Sequence, residues 1–378
     1  MNDEGEFTAI DRVHLERARL LAHRGWGHVH PNPIVGCVIV RDGEMVAEGW
    51  HTEYGGPHAE VMALHEAGAA AEGATAYVSL EPCSHQGKTP PCTEALLRAG
   101  IGRVVYGAAD PGEASRGGGA RLREAGVEVV GPTWTVARAR SENPAFMHGS
   151  RHPAPFIALK LAMTLDARIA AGAGKSTRIT GPEAELEVHR LRKGFDAIMV
   201  GGSTATIDDA RLTVRRVPPG RRAPARIVLS PDADLPPGAR LFDDIEDAPV
   251  HVFCRADAPD LAVKRLEAEG AAVHGVAHNN GLLDLGLVSR KARELDFRAI
   301  LCEGGGRLAS GLLQEGRVQR LYLFVAPRTL GPGAVPAFPD GDRLDWTAFG
   351  PAVPPITLGL DTLIVLDRQE DSGVEEKA

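Results

Sequence analysis

The sequence is poor in aromatic side chains (5%), and its five cysteines are odd in number and scattered. Cys37, Cys83, Cys92, Cys254 and Cys302 do not lay out a disulfide framework. The expectation is a protein of a reducing compartment, most simply the cytoplasm. No apolar run approaches the ~18 residues needed to span a bilayer, so no membrane segment is expected. Residues 1–6 are acidic and lack the basic-then-apolar layout of a signal peptide. Excess positive charge is missing too: 42 Lys and Arg against 50 Asp and Glu give a formal charge of −8. That balance argues against broad nucleic-acid binding, which rests on neutralising phosphates. A few local cations still suffice to hold one small anionic substrate.

At 378 residues the chain is long for a single core, and two domains are expected. Strands and helices alternate throughout, which indicates α/β architecture in both halves. Residues 11–24 read as a helix with Asp11 as N-cap, and 35–40 and 45–50 as strands joined by an Asp42-Gly43 hairpin turn. A helix over 61–71 precedes a short strand, 76–80, that delivers Glu81-Pro82-Cys83. Residues 140–155, rich in proline and in polar and small residues, read as a linker. Beyond it the pattern restarts, with strands at 156–163, 195–200 and 299–302 and a helix over 182–193 that has Pro182 in its first turn. The boundaries expected are 1–148 and 149–370, with a disordered tail over 371–378.

The chemistry concentrates between His58 and Cys92. One imidazole (His58) and two thiolates (Cys83, Cys92) make three zinc ligands and leave a fourth position for water. Zinc lowers the pKa of that water enough to form a nucleophile near neutral pH. His-x-Glu followed by Pro-Cys and a second Cys is the zinc-deaminase signature, with Glu60 as general acid/base rather than ligand. Residues two apart point to different sides of a helix, so His58 is placed at the very start of one. There the helix N-terminus also favours the Glu60 carboxylate. Two other readings stand beside this one. His85 between the cysteines would allow a closed four-ligand structural site, though such sites usually space their ligands more tightly. Burial of the cysteines in an apolar core explains neither the Pro-Cys turn nor the upstream His-x-Glu.

Taken together, His30-Pro31-Asn32-Pro33, Val35-Gly36-Cys37-Val38-Ile39-Val40, Gly49-Trp50-His51, His58-Ala59-Glu60 and Glu81-Pro82-Cys83-Ser84-His85 through Thr89-Pro90-Pro91-Cys92 resemble the deaminase half of the bifunctional riboflavin-biosynthesis deaminase/reductases of bacteria. The resemblance covers nearly the whole chain. It implies a cytidine-deaminase-like α/β/α domain followed by a dihydrofolate-reductase-like α/β domain. The activities implied are zinc-dependent deamination of 2,5-diamino-6-(5-phosphoribosylamino)pyrimidin-4-one and NADPH-dependent reduction of its ribosyl group to ribityl. The partner implied is thus a small phosphoribosylated pyrimidine, and the assembly a homo-oligomer, dimer or tetramer. By resemblance Asn32, His51, Lys88 and Asp110 contact the deaminase substrate. After Asp110-Pro111 this chain has Gly112-Glu113 and a shortened glycine-rich loop where the family continues with Asn-Pro.

The second half is similar to the family's reductase domain at Leu159-Lys160-Leu161-Ala162, Thr164-Leu165-Asp166, Asp208-Asp209, Leu212-Thr213-Val214-Arg215 and Glu303-Gly304-Gly305-Gly306. Glycines between a strand and a helix let backbone N–H groups approach a cofactor phosphate. The run is not the GxGxxG fingerprint, so no Rossmann domain is implied. Lys160, Arg192 and Arg215 are candidates for the substrate phosphate, with arginine the better bidentate partner. By resemblance, Asp166, Ser176, Leu212 and Glu303 complete the substrate set, and Ala162, Arg178, Thr204, Asp208, Gly305 and Gly306 form the cofactor set. Three positions depart from the family. Ala167 replaces a glycine and is strained if φ there is positive. Arg178 replaces a tryptophan, and Ala210 a proline. Three rival readings follow: a deaminase with a scaffold C-terminal half, a nucleoside or RNA-base deaminase, and a zinc-stabilised binding protein.

Overall fold

Helix α1 (Ala9–Ala22) starts one turn earlier than the Asp11 cap reading implies. Thr8 is the N-cap, and Asp11 is the third helical residue of a reciprocal capping box: the Thr8 hydroxyl accepts the Asp11 N–H, and the Asp11 carboxylate accepts the Thr8 N–H. The computed structural model describes residues 6–86, 90–339 and 344–369. It divides into two units, Met1–His152 and Pro153–Ala378. The expected tail, 371–378, lies outside the described residues.

The first unit holds β1 (Gly36–Arg41), β2 (Glu44–Trp50), α2 (Ala59–Ala67), β3 (Thr75–Leu80), α3 (Cys92–Arg98), β4 (Arg103–Ala108), α4 (Gly118–Glu124), β5 (Glu128–Val130), α5 (Val136–Glu142) and α6 (Pro144–Gly149). The sheet order is β2-β1-β3-β4-β5, antiparallel at β2-β1 and β1-β3 and parallel beyond. The hairpin turns at Asp42 and Gly43, both at positive φ (52° and 82°), as a two-residue type I′ turn requires. β1 and β3 are buried on both faces, which explains their unbroken apolar runs. Leu15, Ala18 and Leu21 of α1 pack on Val38, Tyr77 and Val105. Ala59, Ala63 and Leu96 of α2 and α3 pack on Cys37, Ile39, Ala76 and Val104. A Cβ on Gly49 would sit 2.4 Å from the Ala59 carbonyl oxygen, so glycine lets α2 rest directly on β2.

The stretch read as a linker is largely folded. Helices α5 and α6 occupy most of it, Ala139 and Met147 bury against Leu80 and Ala108, and the Asn143 amide bonds both the N–H and the carbonyl of Ile34. Polar and small residues there serve caps and contacts rather than a tether.

The second unit contains β6 (Phe156–Thr164), β7 (Arg168–Ala170), α7 (Pro182–Arg192), β8 (Ala197–Gly201), α8 (Gly202–Asp208), β9 (Ala225–Leu229), β10 (Val250–Arg255), α9 (Asp260–Ala268), β11 (Ala272–Val276), β12 (His278–Asn279) and β13 (Leu282–Leu283). It continues through α10 (Leu285–Glu294), β14 (Ala299–Cys302), α11 (Gly306–Gln314), β15 (Arg320–Ala326), β16 (Val335–Pro336), β17 (Phe349–Pro351), β18 (Ile356–Leu358) and β19 (Asp361–Arg368). The main sheet runs β11-β10-β9-β8-β14-β6-β15-β19-β17, parallel from β11 to β15 and closed by antiparallel β19. α10 and α11 cover one face through Val288, Ala292, Ala309 and Leu312, and α8 and α9 the other through Ala205 and Leu266. Ligands of open parallel sheets bind beyond the carboxyl ends of the strands. Here β6, β8 and β14 deliver Thr164-Leu165-Asp166, Gly202-Ser203-Thr204 and Glu303-Gly304-Gly305. No helix among the described residues is long and apolar enough to cross a membrane.

Candidate active sites

His58 is the N-cap of α2, with extended backbone (φ −73°, ψ 164°), and Glu60 is buried in that helix's first turn. This half-committed geometry lets residues two apart serve one site. Cys83 follows β3, and Cys92 opens α3. Among the described residues, one group of His, Cys, Asp or Glu converges as metal ligands: His58, Cys83 and Cys92, with ligand atoms within 4.8 Å of one another. His85 is exposed and outside that group, so the closed four-ligand reading finds no support. His58 Nδ1 lies 3.2 Å from Cys92 Sγ and 3.6 Å from Cys83 Sγ, and the Cys92 N–H donates to Cys83 Sγ at 3.4 Å. Hydrogen bonding from Cys92 outweighs burial and, with His58, pulls the Cys83 thiol down to about 4. The same contact drives the Cys92 thiol up. Its bond to Cys83 raises His58, and burial raises the Glu60 carboxyl.

Asn32 and His51 sit beside this group. His51 is buried, its ring centroid 5.4 Å from that of His58. A carbonyl only accepts, so the 3.0 Å contact of His51 Nδ1 with the Pro57 oxygen places the proton on Nδ1. Nε2 then accepts from the Asn32 amide at 3.2 Å, which orients that side chain. Burial lowers the His51 pKa and keeps the ring neutral. Asp110 is buried, its carboxyl raised by that burial, and Oδ1 accepts the Gly112 N–H at 2.8 Å. Lys88 lies outside the described residues.

In the second unit Arg192, at the end of α7, donates Nε and Nη2 to Glu303 at 2.5 and 2.8 Å and Nη1 to the Thr213 carbonyl at 2.9 Å. Burial opposes ionisation of Glu303, but Arg192, with Lys160, holds it at about 2. Burial lowers Lys160, on β6. His189, unmarked in the sequence reading, is buried in α7 and accepts the Arg215 N–H at 3.1 Å. Burial, then Arg192 and Arg215, lowers it to about 4. Arg215 itself is exposed, with Nη1 on the Thr213 hydroxyl at 2.9 Å. Leu212 is buried at positive φ (52°).

Thr204 on α8 accepts the Gly305 N–H at 2.9 Å, and Gly306 begins α11, whose N-cap Gly305 carries no capping side chain. Ala162 on β6 pairs in register with Phe324, and Asp208 is exposed at the end of α8. Asp166 is occupied by the protein: it accepts the Thr164 hydroxyl and the N–H groups of Leu330 and Gly331. Ser176 is exposed on the loop before α7. Arg178 is exposed as well, and its guanidinium pairs with Glu185 at 2.8 Å, an oxygen shared with Arg216. Ala167 does adopt positive φ, at 53°.

Comparison with known proteins gives both halves a family. Residues 9–108 match the cytidine and deoxycytidylate deaminase zinc-binding region, and residues 155–350 match the RibD C-terminal domain. Fold and sites together define a two-domain enzyme, a deaminase joined to a dihydrofolate-reductase-like reductase domain. The chain is 40% identical to the riboflavin biosynthesis protein RibD of Aquifex aeolicus, over 86% of this chain and 89% of that one. It is 39% identical to the RibD of Escherichia coli strain K12, over the same shares of each chain (86% and 89%). Among solved structures it is similar to Acinetobacter baumannii RibD (32% identity, TM-score 0.77, 96% of this chain and 99% of that one). It is also similar to a diaminohydroxyphosphoribosylaminopyrimidine deaminase/5-amino-6-(5-phosphoribosylamino)uracil reductase of Thermotoga maritima (31%, TM-score 0.78, 95% and 99%). The chain belongs to the RibD family of bifunctional riboflavin-biosynthesis proteins.

Proposed function

We propose that the chain deaminates 2,5-diamino-6-(5-phosphoribosylamino)pyrimidin-4-one in a domain of residues 1–148 and reduces its ribosyl group to ribityl in a domain of residues 149–370. The observation that carries this reading is the convergence of His58, Cys83 and Cys92 beside buried Glu60, in a chain that continues into a reductase domain. We further read it as a cytoplasmic homo-oligomer, dimer or tetramer, on the family resemblance.

The donor set fits zinc: the His58 imidazole and the Cys83 and Cys92 thiols would hold the ion. When bound, zinc makes water acidic enough to ionise near neutral pH. Glu60 accepts the proton of the attacking water and passes it to the departing amine, which leaves as ammonia. Proton transfer of this kind contributes about 10²–10⁴-fold in rate. Asn32, oriented by His51, together with Lys88 and Asp110, holds the ribotide.

In the second domain the start of α11, which has no capping side chain, fits a dinucleotide pyrophosphate. When bound, NADPH would supply the hydride to C1 of the sugar in its opened imine form, the imine nitrogen taking a proton. Glu303, kept ionised by Arg192, orients the ribosyl hydroxyls beside Lys160. Arg192 has Nε, Nη1 and Nη2 engaged by protein, which makes exposed Arg215 the better partner for the substrate phosphate. A second reading, deamination alone, is favoured by the positive φ of Ala167 and the ion-paired Arg178. The test is to supply the diaminopyrimidinone ribotide to zinc-loaded protein with and without NADPH and identify products by mass spectrometry. A deaminated product without NADPH, and a deaminated, reduced one with it, are expected. Deamination alone in both cases selects the second reading, and no deamination overturns both.

A further inference from the structure

Glu81 directly follows β3, two residues before Cys83, and is 8% exposed. Its Oε1 accepts the N–H groups of Gly117 at 3.2 Å and Gly119 at 3.0 Å. Its Oε2 accepts the N–H of Asp110 at 3.2 Å. The carboxylate is thus directed at the main chain of residues 110–119. The next residues of its own turn touch that segment as well. A Cβ on Gly118 would stand 1.7 Å from the Pro82 carbonyl oxygen, and the Ser84 N–H and hydroxyl reach the carbonyls of Ser115 and Arg116 at 3.3 and 3.0 Å. Residues 81–84, which include Cys83, are therefore fastened along the loop that carries Asp110.

That loop needs an anchor. Three consecutive glycines, Gly117, Gly118 and Gly119, close it, and glycine loses more conformational freedom on ordering than any other residue. Two of the three hydrogen bonds that Glu81 accepts fall on that glycine run. The third falls on Asp110 itself.

We propose that Glu81 is a positioning residue of the deaminase site, fixing the Asp110 carboxylate relative to Cys83 through three backbone hydrogen bonds. This rests on the reading of Asp110 as a substrate contact. Glu81 acts through the loop, so its loss raises KM for the ribotide more than it lowers kcat.

The test uses the full zinc-loaded chain and the variants Glu81→Gln, Glu81→Ala and Asp110→Asn, with zinc content, deaminase kcat and KM, and the reductase step as readouts. Gln keeps the shape but presents an NH₂ group to one of the two sets of N–H donors, whichever way it turns. Glu81→Gln is expected to keep its zinc and its reductase activity and to raise KM about 10-fold, with kcat changed much less. Glu81→Ala is expected to raise KM further. If Asp110→Asn raises KM and both Glu81 variants leave it unchanged, the proposal fails alone. If Glu81→Gln loses zinc and kcat together at constant KM, Glu81 belongs to the metal site and the proposal also fails. Unchanged KM in all three variants removes the assignment of Asp110 on which it rests.

Discussion

Arg192 grips both carboxylate oxygens of Glu303 in a fork of 2.5 and 2.8 Å, with side-chain exposures of only 11% and 9%. Removing one partner of such a pair leaves a buried charge uncompensated, at about 3–5 kcal/mol. Glu303→Leu is expected to destabilise the second unit by about this amount, read by denaturant unfolding, and to abolish reduction while sparing deamination. Arg192→Lys keeps the charge but loses the fork, and is expected to fall between. Equal stability of Glu303→Leu and wild type would contradict the account.

Acid loosens this same region in two stages. His189, lowered to about 4 from the ordinary 6.5, favours its neutral form in the folded state. Its contribution is complete above pH 6.5 and drains away as pH falls through 4. Glu303, held at about 2 against an ordinary 4.5, contributes fully above 4.5 and loses that contribution on the way to 2. Calorimetry of the full chain should show the second unit's Tm falling from pH 6.5 downward, with less of a fall in His189→Gln. A flat Tm down to pH 4 would exclude the first stage.

Ala167 pays for its left-handed backbone, φ 53°. An alanine there costs about 1–2 kcal/mol, of which a glycine's extra unfolded-state entropy returns about 0.4–1. Ala167→Gly is expected to stabilise the second unit by about 0.5–1 kcal/mol. The check is thermal unfolding, with the reductase kcat measured alongside. A destabilised variant would show that the Cβ packing matters more than the strain.

Metal removal separates the two units. Chelation is expected to abolish deamination while leaving NADPH-dependent reduction of already deaminated ribotide intact, because His58, Cys83 and Cys92 all lie in the first unit. Added zinc restores the lost step. Loss of both activities on chelation would refute this separation.

The convergence of His58, Cys83 and Cys92 was legible because zinc chemistry restricts residue type, and His-x-Glu with two cysteines is a sparse pattern. Even the placement of His58 at a helix start follows from spacing, since a helix would otherwise part it from Glu60. Non-local partners were harder to read. Nothing near Glu81 in the chain marks the amides of residues 110, 117 and 119 as its partners, although a carboxylate fixed beside Pro-Cys was a signal worth following. Arg192 read as a phosphate ligand from its charge, whereas its guanidinium is shared with a carboxylate 111 residues away. The helices of residues 136–149 were hidden by composition, because Asn143, Pro144 and Gly149 are turn formers as readily as helix ends. Asp11 and Thr8 are both good caps, and only the reciprocal bond decides between them.

The central claim is that Glu60 moves protons beside a metal it does not bind. The direct measurement is Glu60→Gln in the full chain, with zinc content, deamination and reduction of deaminated ribotide read from one preparation. The account predicts full zinc, a loss of deamination of about 10²-fold or more, and unchanged reduction. A variant that deaminates at the wild-type rate, or that loses its zinc, would contradict it.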